Sequence, residues 1–322
     1  MVEILYGKYL GKLEEEVELG KIRLNSLKSI KADLNTLYKY INENYGSEED
    51  FLKNVTLDEI KIFAESMKCK YKPSSYNRKL STLKVYFNWL VQNSNLINVN
   101  YFDNIKQISE DIVEERTKEK DIISIDTVKE MLKIANQKTS KQDNESFQFY
   151  SSRNRAIITI LTCYGNRIEE LLSSKFSDIK ETEDKIPYIE IKKTRVKNRL
   201  NKRVYIANAI KDVMDEYLTI RNKMLSHNDD DYIFTSMTGG KLNNNYINEV
   251  LKNLCVKANI KKHITCHCFR HICTLALQEK SVPEYDIDCI IGWKKGDSMQ
   301  QRYSNHLPRE KVNKIISATN LL

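Results

Sequence analysis

The chain has 322 residues, 41% hydrophobic and 30% charged, and its 52 Lys and Arg against 44 Asp and Glu give a formal charge of +8. That length buries a sizeable core and suits two domains, and the positive balance favours a polyanionic partner such as nucleic acid. No run of about 18 apolar residues offers a membrane span, and residues 1–22 carry too many acids for a signal peptide. Seven cysteines without paired C-x-x-C spacing argue against a disulfide framework and for a reducing, cytoplasmic setting. With 9 Gly, 4 Pro and long periodic stretches, the fold class is mainly α.

Taken in order, residues 1–22 hold LGKLEEEVELGKI, an amphipathic, charged piece that reads as a short helix or a frayed arm. From Ser26, the residues Leu27, Ile30, Leu34, Leu37, Tyr38 and Ile41 keep helical spacing up to Tyr45-Gly46. A second periodic piece covers 57–67. The third, 74–93, sets Leu80, Leu83, Phe87, Leu90 and Val91 on one side and Asn77, Arg78, Ser81, Lys84 and Asn88 on the other. That polar side is either a solvated face or a stripe of donors for a DNA backbone, with Arg78 and Lys84 as its cations. Residues 106–124, low in apolar periodicity and alternating in charge, form a linker between a helical domain at 1–105 and a second domain at 125–322.

The second domain opens with a helix at 125–136 and a polar loop. A mostly apolar helix at 152–164 stops at Gly165-Asn166, Arg167 sits on the turn, and a short helix follows at 168–173 with Asn166 as its N-cap. The one clear strand region pairs 188–191 with 204–206 around the basic turn KKTRVKNRLNKR. Cations crowded at such a tip, Lys197 and Arg199 among them, repel one another unless an anion sits there. Further helices are expected at 208–224 and 242–257. The tail at 308–318 sets Val312, Ile315 and Ile316 on one side, as a docking helix does.

The stretch from His263 to His306 carries four of the five histidines. On a helix, His267, Arg270, His271 and Thr274 fall at i, i+3, i+4 and i+7 and share a face, while Phe269, Ile272, Cys273 and Ala276 share a buried one. Ser281 and Glu284 make a capping-box pattern around Pro283, and Gly292 marks the stop. Trp293 follows, and Tyr303 lies in the basic loop beyond. A stripe of cations and imidazoles leading to a lone tyrosine suits the handling of a phosphate.

These residues resemble the tyrosine recombinase family, which includes phage integrases, the Cre recombinase and the Xer resolvases. In YGNRIEELLSSKFSDI, Arg167 with Glu170 fits the first box; in IEIKKTRVK, Lys193 fits the hairpin lysine; in HCFRH, His267, Arg270 and His271 fit the H-x-x-R box. In IIGWKKGDSMQQRYSNH, Trp293 stands where most members carry histidine, a variant also seen in Cre, and Tyr303 fits the nucleophile. The resemblance implies a helical core-binding domain, a mixed α+β catalytic domain, and phosphoryl transfer from DNA to Tyr303 through a 3′-phosphotyrosyl intermediate.

Each residue type has a physical reason in that chemistry. A phenol with a pKa of about 10 must lose its proton as it attacks. Arg167 and Arg270 can clamp the nonbridging oxygens with bidentate, permanently charged hydrogen bonds. Lys193 can give the leaving 5′ oxygen its proton. His267 can accept the tyrosine proton or donate to the phosphate. Trp293 has one N–H donor and no acceptor, so it can hold an oxygen or buttress the site. Glu170 can orient Arg167 or His271, and His271 supports. The resemblance further implies no metal and no nucleotide cofactor, double-stranded DNA as partner, a tetramer joining two sites, and a tail that packs into a neighbouring protomer.

Duller readings compete. His263, Cys266, His267, Cys268, His271 and Cys273 crowd one stretch as a zinc tract would, yet structural zinc sites draw ligand pairs from two separated segments, and no second pair is evident. A non-catalytic DNA-binding relic would lack an arginine or the tyrosine, and both are present. A type IB topoisomerase or hairpin telomere resolvase would share the chemistry and differ in products.

Overall fold

The computed structural model describes residues 4–109, 123–137, 143–192, 202–225, 230–292 and 309–322. The chain divides into two units, 1–118 and 119–322.

The first unit is helical: α1 (Ile4–Glu18), α2 (Leu24–Asn44), α3 (Glu48–Asn54), α4 (Leu57–Lys70) and α5 (Pro73–Asn93), closed by a 3₁₀ turn at Tyr101–Asn104. The starts follow capping chemistry. Ser47 accepts from the Asp50 amide, Thr56 and Glu59 form a reciprocal capping box, and Pro73 opens α5 where no amide partner is needed. Leu34, Leu37, Ile41, Leu80, Leu83, Phe87 and Leu90 are buried as their spacing predicts. The charged N-terminal piece is a helix, because Tyr9 and Leu13 bury one face of it against the same core. Helix α3 went unread in the sequence; its seven residues are too few for a periodic signal.

The second unit is built around α7. Its elements are α6 (Ile125–Ala135), α7 (Asn144–Tyr164), α8 (Ile168–Leu172), β1 (Ile179–Glu181), β2 (Pro187–Ile191), β3 (Lys202–Tyr205), α9 (Ala209–Met224), α10 (Asn244–Lys257), α11 (Cys266–Glu279), α12 (Glu284–Ile291) and α13 (Arg309–Ala318). Helix α7 packs against α6, α9 and α11 and is buried along nearly its whole C-terminal half. The strands form one antiparallel sheet ordered β1-β2-β3, with Ile191 opposite Lys202 at the base of the hairpin. Strand β1, three residues long, also escaped the sequence reading. No described helix is long and apolar enough to cross a membrane.

Two predicted caps are corrected. Asn166 does not cap α8: Arg167 takes that position without a side-chain cap, and the Asn166 amide is buried with neither polar atom hydrogen-bonded. Ser281 and Glu284 do not form a box, since Ser281 has a left-handed φ of 56° and Pro283 is the N-cap of α12. Gly292 does end α12, at φ 76°. The tail helix α13 docks on its own unit, burying Val312 and Ile315, while Lys280 Nζ donates to Asn320 O at 2.7 Å.

Candidate active site

The site grows from the C-terminal end of α7. A helix end leaves its last carbonyls without helical partners, and here side chains from elsewhere take them. Cys273 Sγ donates to Cys163 O at 3.3 Å, Lys202 Nζ to Tyr164 O at 2.6 Å, and Arg270 Nη1 to Gly165 O at 2.7 Å. Gly165 closes the helix at φ 55°, a left-handed conformation. A Cβ there would meet Cys273 Cβ at 3.3 Å and Arg270 Cα at 3.4 Å, so only glycine lets α11 approach this turn.

Arg270 is 6% exposed. Its Nη1 also donates to Ile291 O at 2.8 Å, so one guanidinium ties the end of α7 to the end of α12. Arg167 lies two residues past Gly165, at the start of α8. Its Nη1 donates to Glu170 Oε1 at 3.3 Å, with Arg167 partly exposed and Glu170 largely covered. Of the two partners weighed for Glu170, Arg167 is the one it holds.

The predicted face of α11 is split. Arg270 and Thr274 turn inwards, whereas His267 and His271 stay exposed with ring centroids 6.4 Å apart. Phe269, Ile272, Cys273 and Ala276 are buried as expected. The pKa of His267 is pushed down, first by loss of water around the ring and then by the fields of His271, Arg270 and Arg167. Exposed as a residue, His267 nonetheless has its ring partly screened from water, and the two arginines lie close enough for it to feel their charge. Arg167, His267 and Arg270 therefore belong to one electropositive site.

The tract weighed as a zinc site is divided by the same helix. Cys266, Cys268 and Cys273 point into the core, away from His267 and His271, and among the described residues no three His, Cys, Asp or Glu gather as a metal would need.

Lys193, Lys197, Arg199, Trp293 and Tyr303 lie outside the described residues. On α5, Arg78 Nη1 donates to the buried Asp33 at 2.7 Å, and Lys84 is half-buried. Asn77 pairs with both backbone atoms of Ile108 at 2.9 Å, and Ser81 accepts from Gln107. Much of the polar stripe, open in the sequence between a solvated face and a DNA-backbone contact, is thus engaged within its own unit. Lys202 went unnoticed in the sequence, although strand alternation places it on the same inward side as Val204.

Comparison with known proteins fits this geometry. The profile described as the phage integrase family matches residues 121–310, and that of the phage integrase N-terminal SAM-like domain matches 9–94. A protein named tyrosine recombinase XerD from Rickettsia bellii is 28% identical over 320 residues, covering 96% of each chain. Among solved structures, XerH bound to a palindromic difH substrate after cleavage superposes with a TM-score of 0.66 at 18% identity, over 91% of this chain and 80% of that one. A lambda integrase tetramer on a Holliday junction gives 0.65 at 17% identity, over 94% of this chain and 76% of that one. Those two likenesses establish the fold.

Proposed function

We propose roles for individual side chains from one premise: this chain belongs to the phage integrase family, the tyrosine recombinases, and is an enzyme of site-specific DNA recombination that cleaves and religates DNA. The observation that carries the assignment is the convergence of Arg167, His267 and Arg270 at the end of α7.

Tyr303 Oη attacks a DNA phosphorus, a P–O bond to the phenol forms, and the bond to the 5′ oxygen breaks. Arg167 and Arg270 hold the nonbridging oxygens as their charge grows. Losing one such donor costs about 10²–10³ in rate. Burial and neighbouring cations favour neutral His267, which supports it as the acceptor of the tyrosine proton. Lys193 supplies the proton for the leaving oxygen. Trp293 donates its one N–H to the phosphate or buttresses it, Glu170 holds Arg167, and His271 supports from beside His267. A second DNA 5′ hydroxyl then attacks the phosphotyrosine and reseals the strand.

Lys197, Arg199 and Lys84 are the backbone-contacting cations in this reading, joined by Arg78, which is half-exposed while its Nη1 holds Asp33, and DNA affinity falls steeply with salt as a result. The related lambda integrase seen as a tetramer on a Holliday junction supports four protomers of this chain acting on two duplex sites. The seven free cysteines suit the cytoplasm.

The test is covalent trapping, without divalent metal, on nicked duplexes drawn from the flanks of the gene. Wild-type protein gives a slower-migrating protein–DNA band on a denaturing gel, and Tyr303→Phe gives none. A band that persists in Tyr303→Phe assigns the nucleophile elsewhere.

A further inference from the structure

We propose that Lys202 is a positioning residue of the cleavage reaction, setting the two arginines through the last turn of α7. The proposal rests on the reading that Arg167 and Arg270 clamp the phosphate.

Three successive carbonyls at this helix end, of Cys163, Tyr164 and Gly165, accept from Cys273, Lys202 and Arg270. The middle bond is the shortest, 2.6 Å, and comes from an ammonium that is 4% exposed. Strand β3 grips the same residue a second time, because the Tyr205 amide donates to the Tyr164 hydroxyl at 3.1 Å. The turn that presents Arg167 is thus held from one side by β3 and from the other by Arg270 of α11.

A buried ammonium is a costly way to fill space. The inward neighbours on the sheet, Ile189, Ile191 and Val204, are all apolar and buried, so this position would pack with an apolar side chain. Lysine suits it for a different reason. The negative end of the α7 dipole lies at these carbonyls and stabilises a cation there. A second cation, Arg270, uses the next carbonyl, and the fields of both reach Cys273 between them. Two like charges on adjacent carbonyls repel. Lys202 on Tyr164 O therefore limits where the Arg270 guanidinium can settle, and it fixes the Tyr164–Gly165 peptide, two residues before Arg167. The lysine touches neither substrate nor reacting atoms in this account. It acts through the turn.

The experiment compares two nicked substrates under single-turnover conditions: an ordinary phosphodiester, and a methylphosphonate in which a methyl replaces one nonbridging oxygen at the cleaved linkage. The methyl removes the charge that the arginines neutralise, so a defect in the clamp matters less on that substrate. Lys202→Met is expected to form covalent complex about 10- to 100-fold more slowly on the phosphodiester, to bind the duplex as wild type does, and to match wild type on the methylphosphonate. Lys202→Arg, which keeps the cation and its carbonyl bond, restores most of the phosphodiester rate.

Equal slowing on both substrates means a merely structural role and overturns the proposal, as does normal phosphodiester cleavage. Arg270→Ala is the control for the underlying reading. If its defect shrinks on the methylphosphonate and that of Lys202→Met does not, Lys202 alone is misassigned. If the Arg270→Ala defect does not shrink, the clamp reading fails and the Lys202 proposal falls with it. Should Lys202→Met prove insoluble, Lys202→Gln on the same substrate pair decides by the same outcomes.

Discussion

Each unit of the chain gathers cations around one buried feature, and the two differ in what receives them. In the N-terminal unit Arg78, Lys79 and Thr82 converge on the carboxylate of Asp33, at 2.7, 3.2 and 3.1 Å, and Lys79 also donates to Thr36. In the catalytic unit Lys202 and Arg270 meet backbone carbonyls at the end of α7. A carboxylate cancels one unit of the charge it binds, whereas a carbonyl is a dipole that orients a cation and leaves its net charge in place. That charge is felt: after burial and His271, Arg270 helps push the His267 pKa down, and with Lys202 it offsets part of the rise that burial imposes on the Cys273 thiol. The first arrangement ties Arg78 and Lys79 into the fold; the second lets the charge of Arg270 act on His267, whereas Arg167 is partnered by Glu170.

The largest effect expected from breaking this contrast is at Asp33. Asp33→Ala leaves Lys79, itself 6% exposed, as a buried cation without its carboxylate. Removing one partner of a buried pair costs about 3–5 kcal/mol. Arg78 is half-exposed and regains water, so the loss falls mainly on Lys79. Hydrogen exchange of the α2 and α5 amides reads it directly: protection there collapses, and the amides of α7 and α11 keep theirs. Unchanged protection in α2 and α5 would sink the idea that this cluster is structural.

How far the sequence foretold all this depends on the range of the interaction. Helices α2, α4 and α5 were legible because their apolar periodicity is local and strong. Arg167, Glu170, His267 and Arg270 were legible through motif spacing; Glu170 holds Arg167, and the charges of both arginines reach His267. What escaped were long-range pairings. Nothing near Arg78 announces that its guanidinium belongs to Asp33, 45 positions away. Nothing near Lys202 names Tyr164, 38 positions away, as its acceptor. The Asn77 amide, open in the sequence between solvent and a phosphate, binds the Ile108 backbone, because a polar stripe on a helix does not say what lies along it. Asn166 was read as a cap by residue type alone, and the turn at Gly165 buries it.

A smaller effect should come from the glycine that lets the carbonyl-bound cations meet. Gly165→Ala forces a left-handed φ on an L-residue, which costs about 1–2 kcal/mol. Its new methyl also presses on Cys273 Cβ and Arg270 Cα. Misplacing a charge-bearing group by about 1 Å can cost ~10²-fold in rate, so cleavage falls by more than the strain alone explains. Gly239→Ala is the matched control: its φ is +83° and no atom lies within 4 Å of the added carbon. It should lose stability and keep cleavage. If the two variants cleave alike, crowding at Arg270 is not what Gly165 avoids.

The smallest effect, and the most specific to the retained field, is in the pH profile. The His267 pKa is lowered by burial first and by His271, Arg270 and Arg167 after it. The sign follows: the imidazole stays neutral at a pH where an ordinary histidine, with a pKa of about 6.5, is already half protonated. If neutral His267 takes the tyrosine proton, single-turnover cleavage holds as the pH drops through 6.5 and fails only below it. The folded state resists that proton too, so stability declines over the same acid range as the unfolded chain binds it more readily. Arg167→Gln removes one of the cations responsible, and the acid limb should move up towards 6.5 even though the rate at its plateau is lower. A wild-type limb above 6.5 would mean that the fields of Arg167 and Arg270 do not reach His267 during catalysis, and the contrast between the two cation clusters would then lose its functional half.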